Sequence, residues 1–282
     1  MLWLVVVSLI WAFSFGLTKG KLAGLDSSFV SAARLSLALL VFLPFLRLRG
    51  VSVATGGKLV AIGAVQFGLM YLALNESYRY LQAYEVVLLT ITTPILVTLL
   101  ADALDRTFRW QALAAAGLAV IGAAFIAVRS TELKLTLTGV VLVQLSNAAF
   151  AIGQVAYRQL RLRETALRDR DIFGLLYVGA AAVTLLVMFA RVDLSTVSLT
   201  STQIWTLLYL GILASGVCFF LWNIGATQVS SGTLAVMNNA KAPLGVACSL
   251  IFFGESAPTL PLLASLAIMG LAVWLTNRSR SK

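Results

Sequence analysis

No histidine occurs anywhere in this chain. The absence removes the side chain that most often serves as general base and neutral metal ligand near pH 7, so any proton coupling must run through carboxylates or a lysine. Cysteine is almost as scarce. Cys218 and Cys248 both fall inside apolar stretches, which argues against a disulfide framework, and their spacing fits no metal site. Packing accounts for them, and no metal or organic cofactor is expected. Charge is thin as well: 11% of the 282 residues are Asp, Glu, Lys or Arg, against roughly a quarter in a soluble domain. Long polar stretches are also missing. The longest connection between apolar runs, from Arg158 to Asp171, leaves no room for a soluble catalytic or regulatory domain.

What is present is hydrophobicity, 60% of the residues with a mean hydropathy of +0.95. A spanning helix needs about 20 mainly apolar residues. Ten stretches qualify, over residues 2–18, 28–46, 58–80, 82–101, 110–128, 137–157, 172–189, 202–226, 231–253 and 259–276. They are continuous apolar runs and not short alternations, so helices are expected in place of a barrel. The first, MLWLVVVSLIWAFSFGLTKGK, lacks a basic leader and a small-residue cleavage site, and reads as an uncut helix. A net charge of +10 could point to nucleic acid, but the basic residues collect at alternate helix ends. With the N-terminus inside, Arg47, Arg49, Lys58, Arg106, Arg109, five arginines from Arg158 to Arg170, Arg278, Arg280 and Lys282 are cytoplasmic. Only Lys19, Lys21, Arg79, Arg129, Lys134 and Arg191 lie outside. This is a positive-inside bias, and an even number of spans puts both termini in the cytoplasm. The expected fold is an all-α membrane protein with the bilayer as its main partner and no nucleic acid.

The two halves resemble each other. Pro94 in TTPILVTLL matches Pro243 in KAPLGVACSL at an offset of 149, and SLIWAFSFGLTKGKL matches NAAFAIGQVAYRQL at 139. The second match pairs Ser8 with Asn147 and Lys19 with Arg158. Asp105 and Glu255 close equivalent helices, and glycine-bearing helices follow (Gly117 and Gly122 in one half, Gly270 in the other). The expected units are residues 1–135 and 136–282, each of five helices. Five is odd, so the second unit must be inserted upside down, an arrangement recurrent in secondary transporters with a substrate site near the midplane.

Lys241 is the costliest residue. It lies near the middle of Ser231–Phe253, where a charge costs about 2.5–3.5 kcal/mol on insertion scales and normally faces protein or a polar cavity. Leu234, Asn238 and Gly245 share its helical face, and Asn239 is adjacent. Pro243 and Pro94 each free the carbonyl four residues back, on Asn239 and Thr90, and kink their helices as hinges. Two readings of Lys241 stand: a group that binds a substrate carboxylate beside the Asn238 and Asn239 amides, or an internal ion pair with Glu85 or Glu76. Glu76 has Arg79 at ion-pair spacing. Glu85, next to Tyr84, is either a site coupling transport to a proton gradient or a helix-end anchor.

The sixth span carries a stripe of Gln144, Asn147, Ala151 and Gln154, read as cavity lining or as interhelical hydrogen bonds, which are typically worth under 2 kcal/mol. Gln66 in the third span has the same two readings. Trp11, Tyr71, Trp222 and Asn223 could wall a pocket or simply pack. Trp110, Trp205 and Trp274 lie at span ends, as an interface belt does. Arg34, a few residues into the second span, is expected to snorkel to the headgroups. Gly211 and Gly216 repeat the five-residue interval of Gly117 and Gly122 and are read as packing sites.

Three stretches together, WAFSFGLTK, NESYRYLQAYEVVLLTITTPILVTLL and LWNIGATQVSSGTLAVMNNAKAPLGVACSLIFFGE, resemble the EamA-type ten-helix carriers of the drug/metabolite transporter superfamily. The resemblance covers essentially the whole chain, and in layout it extends to the aromatic amino acid exporters. It implies an inner-membrane carrier, mostly exporting amino acids or other small metabolites. Combined with the polar positions, the expectation is a secondary transporter for an amino acid or another small carboxylate. It would work by alternating access around a cavity lined by spans one, three, four, six, eight and nine. A membrane-embedded enzyme is the alternative, but it would need a nucleophile–base pair or paired carboxylates. The chain has no GxSxG and no close acidic pair inside a span. A non-transporting scaffold is the other alternative. Monomer and homo-oligomer both stay open.

Overall fold

Capping residues set the helix starts. The computed structural model describes residues 2–106, 108, 110, 114, 117, 136–229, 234, 237, 238, 244 and 267, apart from the side chains of Leu2, Tyr84, Leu88 and Asp105. Among them the regular structure is entirely helical. Asp26 accepts hydrogen bonds from the amides of Ser28 and Phe29, Ser52 from Thr55, and Thr136 from Gly139. Thr200 and Gln203 form a reciprocal capping box. Each cap satisfies amides that a helix start leaves without partners. Burial pushes the Asp26 carboxyl up, but the Ser28 hydroxyl, the two amides and the charge of Arg191 together hold it below its ordinary range.

Among the described residues, seven helices are long and apolar enough to cross a membrane: α1 (Leu2–Lys21), α2 (Ser27–Phe42), α3 (Val53–Ser77), α4 (Glu85–Leu104), α5 (Leu137–Arg163), α6 (Asp169–Arg191) and α7 (Ser201–Gln228). They fall on the first four and the sixth to eighth predicted spans. The fifth, ninth and tenth lie almost wholly outside the described residues, and with them Lys241, Asn239 and Pro243.

Three of the seven are irregular within. α3 passes through a π-helical stretch at Ala64–Leu69, and α7 through another at Tyr209–Val217. α4 tightens into a 3₁₀ turn at Thr90–Thr92 directly before Pro94. Proline lacks the amide hydrogen a regular helix needs there, and the neighbours repair the loss. The Thr93 hydroxyl donates to the Thr90 carbonyl at 2.7 Å. The Leu89 carbonyl accepts from Asn147 at 2.9 Å and from Gln144 at 3.3 Å. In a bilayer no water stands ready to do this, so breaks persist only where protein groups fill in.

α2 packs between α6 and the middle of α7, α3 lies across α6 and then α5, and α1 runs along α7. Glycine decides one of these crossings. A Cβ on Gly63 of α3 would stand 1.8 Å from the Leu176 carbonyl oxygen, and one on Gly179 of α6 would stand 1.9 Å from that of Val60. The two backbones therefore touch with no side chain between them. Beside this seam lies an aromatic core in which Phe67 stacks on Tyr177 at 5.3 Å and meets Phe219 at 4.8 Å. Such pairs add about 0.5–1.5 kcal/mol each beyond their burial. Outward-facing side chains such as Leu40, Leu145, Leu186 and Phe189 are apolar and exposed, as a surface against lipid requires.

Candidate functional site

The helices line a small, partly open cavity of about 70 Å³. α1 contributes Trp11, Ser14, Phe15 and Thr18, α2 Arg34, and α3 Met70, Tyr71 and Leu74, with Tyr78 just beyond its end. α4 adds Thr90 and Thr93, α5 Ser146, Asn147 and Phe150, and α7 Phe219. The wall combines aromatic rings and aliphatic hydroxyls in nearly equal number with one amide and one cation. Thr18 and Tyr78 also border a second cavity toward the ends of α1 and α3, where Lys19 and Arg79 stand. Lys19 Nζ donates to the Tyr78 carbonyl there.

Arg34 overturns its sequence reading. It does not snorkel; it is 3% exposed and lines the cavity. Its Nε donates to Ser215 Oγ at 3.1 Å, its Nη2 to Tyr71 Oη at 2.8 Å and its Nη1 to Thr18 Oγ1 at 3.4 Å. The guanidinium carbon lies 4.3 Å from the centre of the Tyr71 ring, a cation–π contact. Tyr71 and Ser215 are bonded to each other at 2.9 Å. The π-helical stretch of α7 explains how Ser215 reaches this point: its loosened backbone directs carbonyls sideways, and the Trp11 indole and the Tyr177 hydroxyl take those of Ala214 and Ser215.

A signal for Arg34 was present in the sequence. Ser27, Ser31 and Ala38 share its helical face at spacings of three and four, and all are buried. A stripe of small and hydroxyl-bearing side chains marks a face turned to other helices, whereas a snorkelling arginine belongs on a lipid face.

The expected site residues divide. Trp11 and Asn147 line the cavity. Gln154 does not; it accepts from the Trp222 indole at 3.1 Å and borders a separate cavity beside Arg158 and Gln159. Gln66 donates to Asn223 at 3.2 Å, and Asn223 donates to the Phe219 carbonyl at 3.0 Å. Trp222 lies behind Trp11, ring centres 5.0 Å apart. Glu76 pairs with Arg79 at 2.9 Å and Arg191 at 3.7 Å and accepts from Ser27, a cluster at the helix ends. Glu85 is buried and accepts from the Gln82 amide at 2.8 Å, at the start of α4. Asn238 is buried and Pro94 begins the second part of α4. Lys241, Asn239, Pro243 and the Tyr84 side chain lie outside the described residues. Among the described residues no group of three histidine, cysteine or acidic side chains could hold a metal ion.

Residues 1–128 match the EamA-like transporter family. The chain is 40% identical to the biotin transporter of Escherichia coli (strain K12) over 98% of its own length and 92% of that protein's. It is 40% identical to a probable biotin transporter of Pseudomonas aeruginosa, covering 99% of this chain and 98% of that one. The chain belongs to the EamA-like transporter family.

A solved crystal structure is similar with a TM-score of 0.77 over 99% of both chains at 16% identity, a likeness of fold alone. This EamA-like protein is therefore a multi-pass transporter of the cell inner membrane and not an enzyme. For a transporter of this family the cavity offers hydrogen-bonding side chains around an aromatic chamber and a cation at one wall. That set suits a small solute that is part apolar, part amide-like and negatively charged.

Proposed function

We propose that this transporter carries biotin across the inner membrane by alternating access. The observation that carries the reading is the full-length 40% identity to biotin transporters. The chemistry of the cavity lining supports it. Biotin has a fused bicycle for the aromatic wall of Trp11, Phe15, Phe150 and Phe219, a ureido group for Thr90, Thr93 and Asn147, and a carboxylate. It replaces the amino acid as first choice within the broader class of small carboxylates.

The architecture proposed is ten helices in two inverted five-helix units, residues 1–135 and 136–282, with both termini cytoplasmic. The positive-inside pattern supports the orientation. The two π-helical stretches support the repeat: Ala64 and Tyr209, their first residues, are 145 positions apart, between the 139 and 149 of the sequence alignments. In this arrangement Lys241, with Asn238 and Asn239, belongs to the second unit's wall of the cavity. Glu85 or Glu76 serves coupling, and Pro94 and Pro243 are hinges.

Radiolabelled biotin flux into proteoliposomes tests the proposal. Purified protein should accelerate uptake and exchange of biotin, and the same assay reads the direction of net movement. No protein-dependent flux would refute the biotin reading. Fusing a cytoplasm-active reporter to the C-terminus tests the orientation, and an inactive reporter would refute it.

A further inference from the structure

We infer that Arg34 binds the carboxylate of the cargo and sets the preference for an acid over its neutral analogues. This deepens the biotin reading and rests on it.

A guanidinium has five N–H donors in a fixed fork. Three are engaged: one from Nε to Ser215, one from Nη1 to Thr18 and one from Nη2 to Tyr71. One N–H on each terminal nitrogen is left, and the side chain borders the cavity. All three partners are neutral hydroxyls, which orient the group and do not neutralise it. Among the described residues no carboxylate lies within ion-pair distance of Arg34. A buried cation with no counter-charge among the described residues draws an anion strongly. The two free N–H groups match a carboxylate's two oxygens, the bidentate geometry arginine favours and lysine cannot reproduce.

The position also defines how the anchor is aimed. Thr18 of α1, Tyr71 of α3 and Ser215 of α7 each hold a different nitrogen of the guanidinium. The hydroxyls on α1, α3 and α7 thus fix the fork carried by α2. A purely structural Arg34 would tie these helices together, and its loss would change stability without changing which ligands are preferred.

The test measures binding of biotin, biotinol and biotinamide to the detergent-purified transporter. The three share the bicycle and differ at the carboxyl. Wild type should bind biotin about 10- to 100-fold more tightly than either neutral analogue, the range of charge-assisted hydrogen bonds. In Arg34→Gln the preference should vanish, with the neutral analogues bound as weakly as by wild type. If wild type binds all three alike, or Arg34→Gln keeps the preference, the inference is overturned. Should Arg34→Gln not be recovered as folded protein, Ser215→Ala decides. It removes the hydroxyl that orients Nε and keeps the charge, so the preference should fall several-fold, and an unchanged preference overturns the inference. Wild type that neither binds nor carries biotin refutes the biotin reading itself, and the inference with it.

Discussion

Two polar regions lie inside the bundle, and they differ in what answers their hydrogen bonds. Around Gln66, Asn223, Gln154 and Trp222 the side chains bond to one another across α3, α5 and α7, and none borders the cavity beside Arg34. Around Arg34 the partners are hydroxyls, the charge has no opposite among the described residues, and a cavity of about 70 Å³ adjoins it. Both regions are polar residues in spanning helices. Both join helices, and only the second also borders a cavity. Polarity alone does not separate the two; unmatched charge beside empty space does.

Replacing Arg34 with Met should break this contrast most sharply. Biotin flux should fall by about 10-fold or more, while the protein in detergent melts no lower. Removing a buried charge relieves its desolvation, and Tyr71 and Ser215 still have each other. A large drop in melting temperature would put Arg34 on the structural side.

The opposite pattern is expected in the amide region. Gln66→Leu leaves the Asn223 oxygen without its donor, at a cost of about 1–3 kcal/mol, with transport per folded molecule close to wild type. Adding Asn223→Leu should return part of that stability, as a double-mutant cycle on coupled residues reads. Asn147 belongs to both kinds of region, since it lines the cavity and caps the Leu89 carbonyl. Asn147→Ala should therefore lose about 1 kcal/mol of stability and weaken biotin binding together; an effect on one alone would assign it to a single side.

Asp26→Ala stands outside both regions and should have the smallest effect, about 1 kcal/mol for a lost helix cap, with flux unchanged. The Asp26 carboxyl sits below its ordinary value of 3.8 when folded. Its contribution is thus fully present above that value and is lost as pH falls through the lower folded one. Thermal melting of wild type and variant at pH 7 and near pH 3 should converge at the acid end.

Seven spans and the break at Pro94 were legible because each follows from local chemistry: apolar run length marks a crossing and proline a discontinuity. The capping residues Asp26 and Thr200 were not singled out. The amide stripe of α5 was legible as polar but not as to purpose. Asn147 turned out to face the cavity, and Gln154, seven residues on, to hold an indole instead. Which polar face adjoins empty volume depends on how helices lean together, and no periodicity records that. Arg34 was misread for a related reason. Snorkelling judges depth along one helix, but the hydroxyls that make its burial tolerable come from α1, α3 and α7. The two π-helical stretches carry no proline to announce them and were not anticipated.

The crossing at Gly63 and Gly179 has a mechanical consequence. Two backbones in direct contact have no rotamers to exchange and no soft layer to compress. Such a contact can pivot, but it cannot slide by degrees. α3 and α6 meet there as a pin meets its socket, and any larger side chain at either glycine would jam the joint before it altered the chamber.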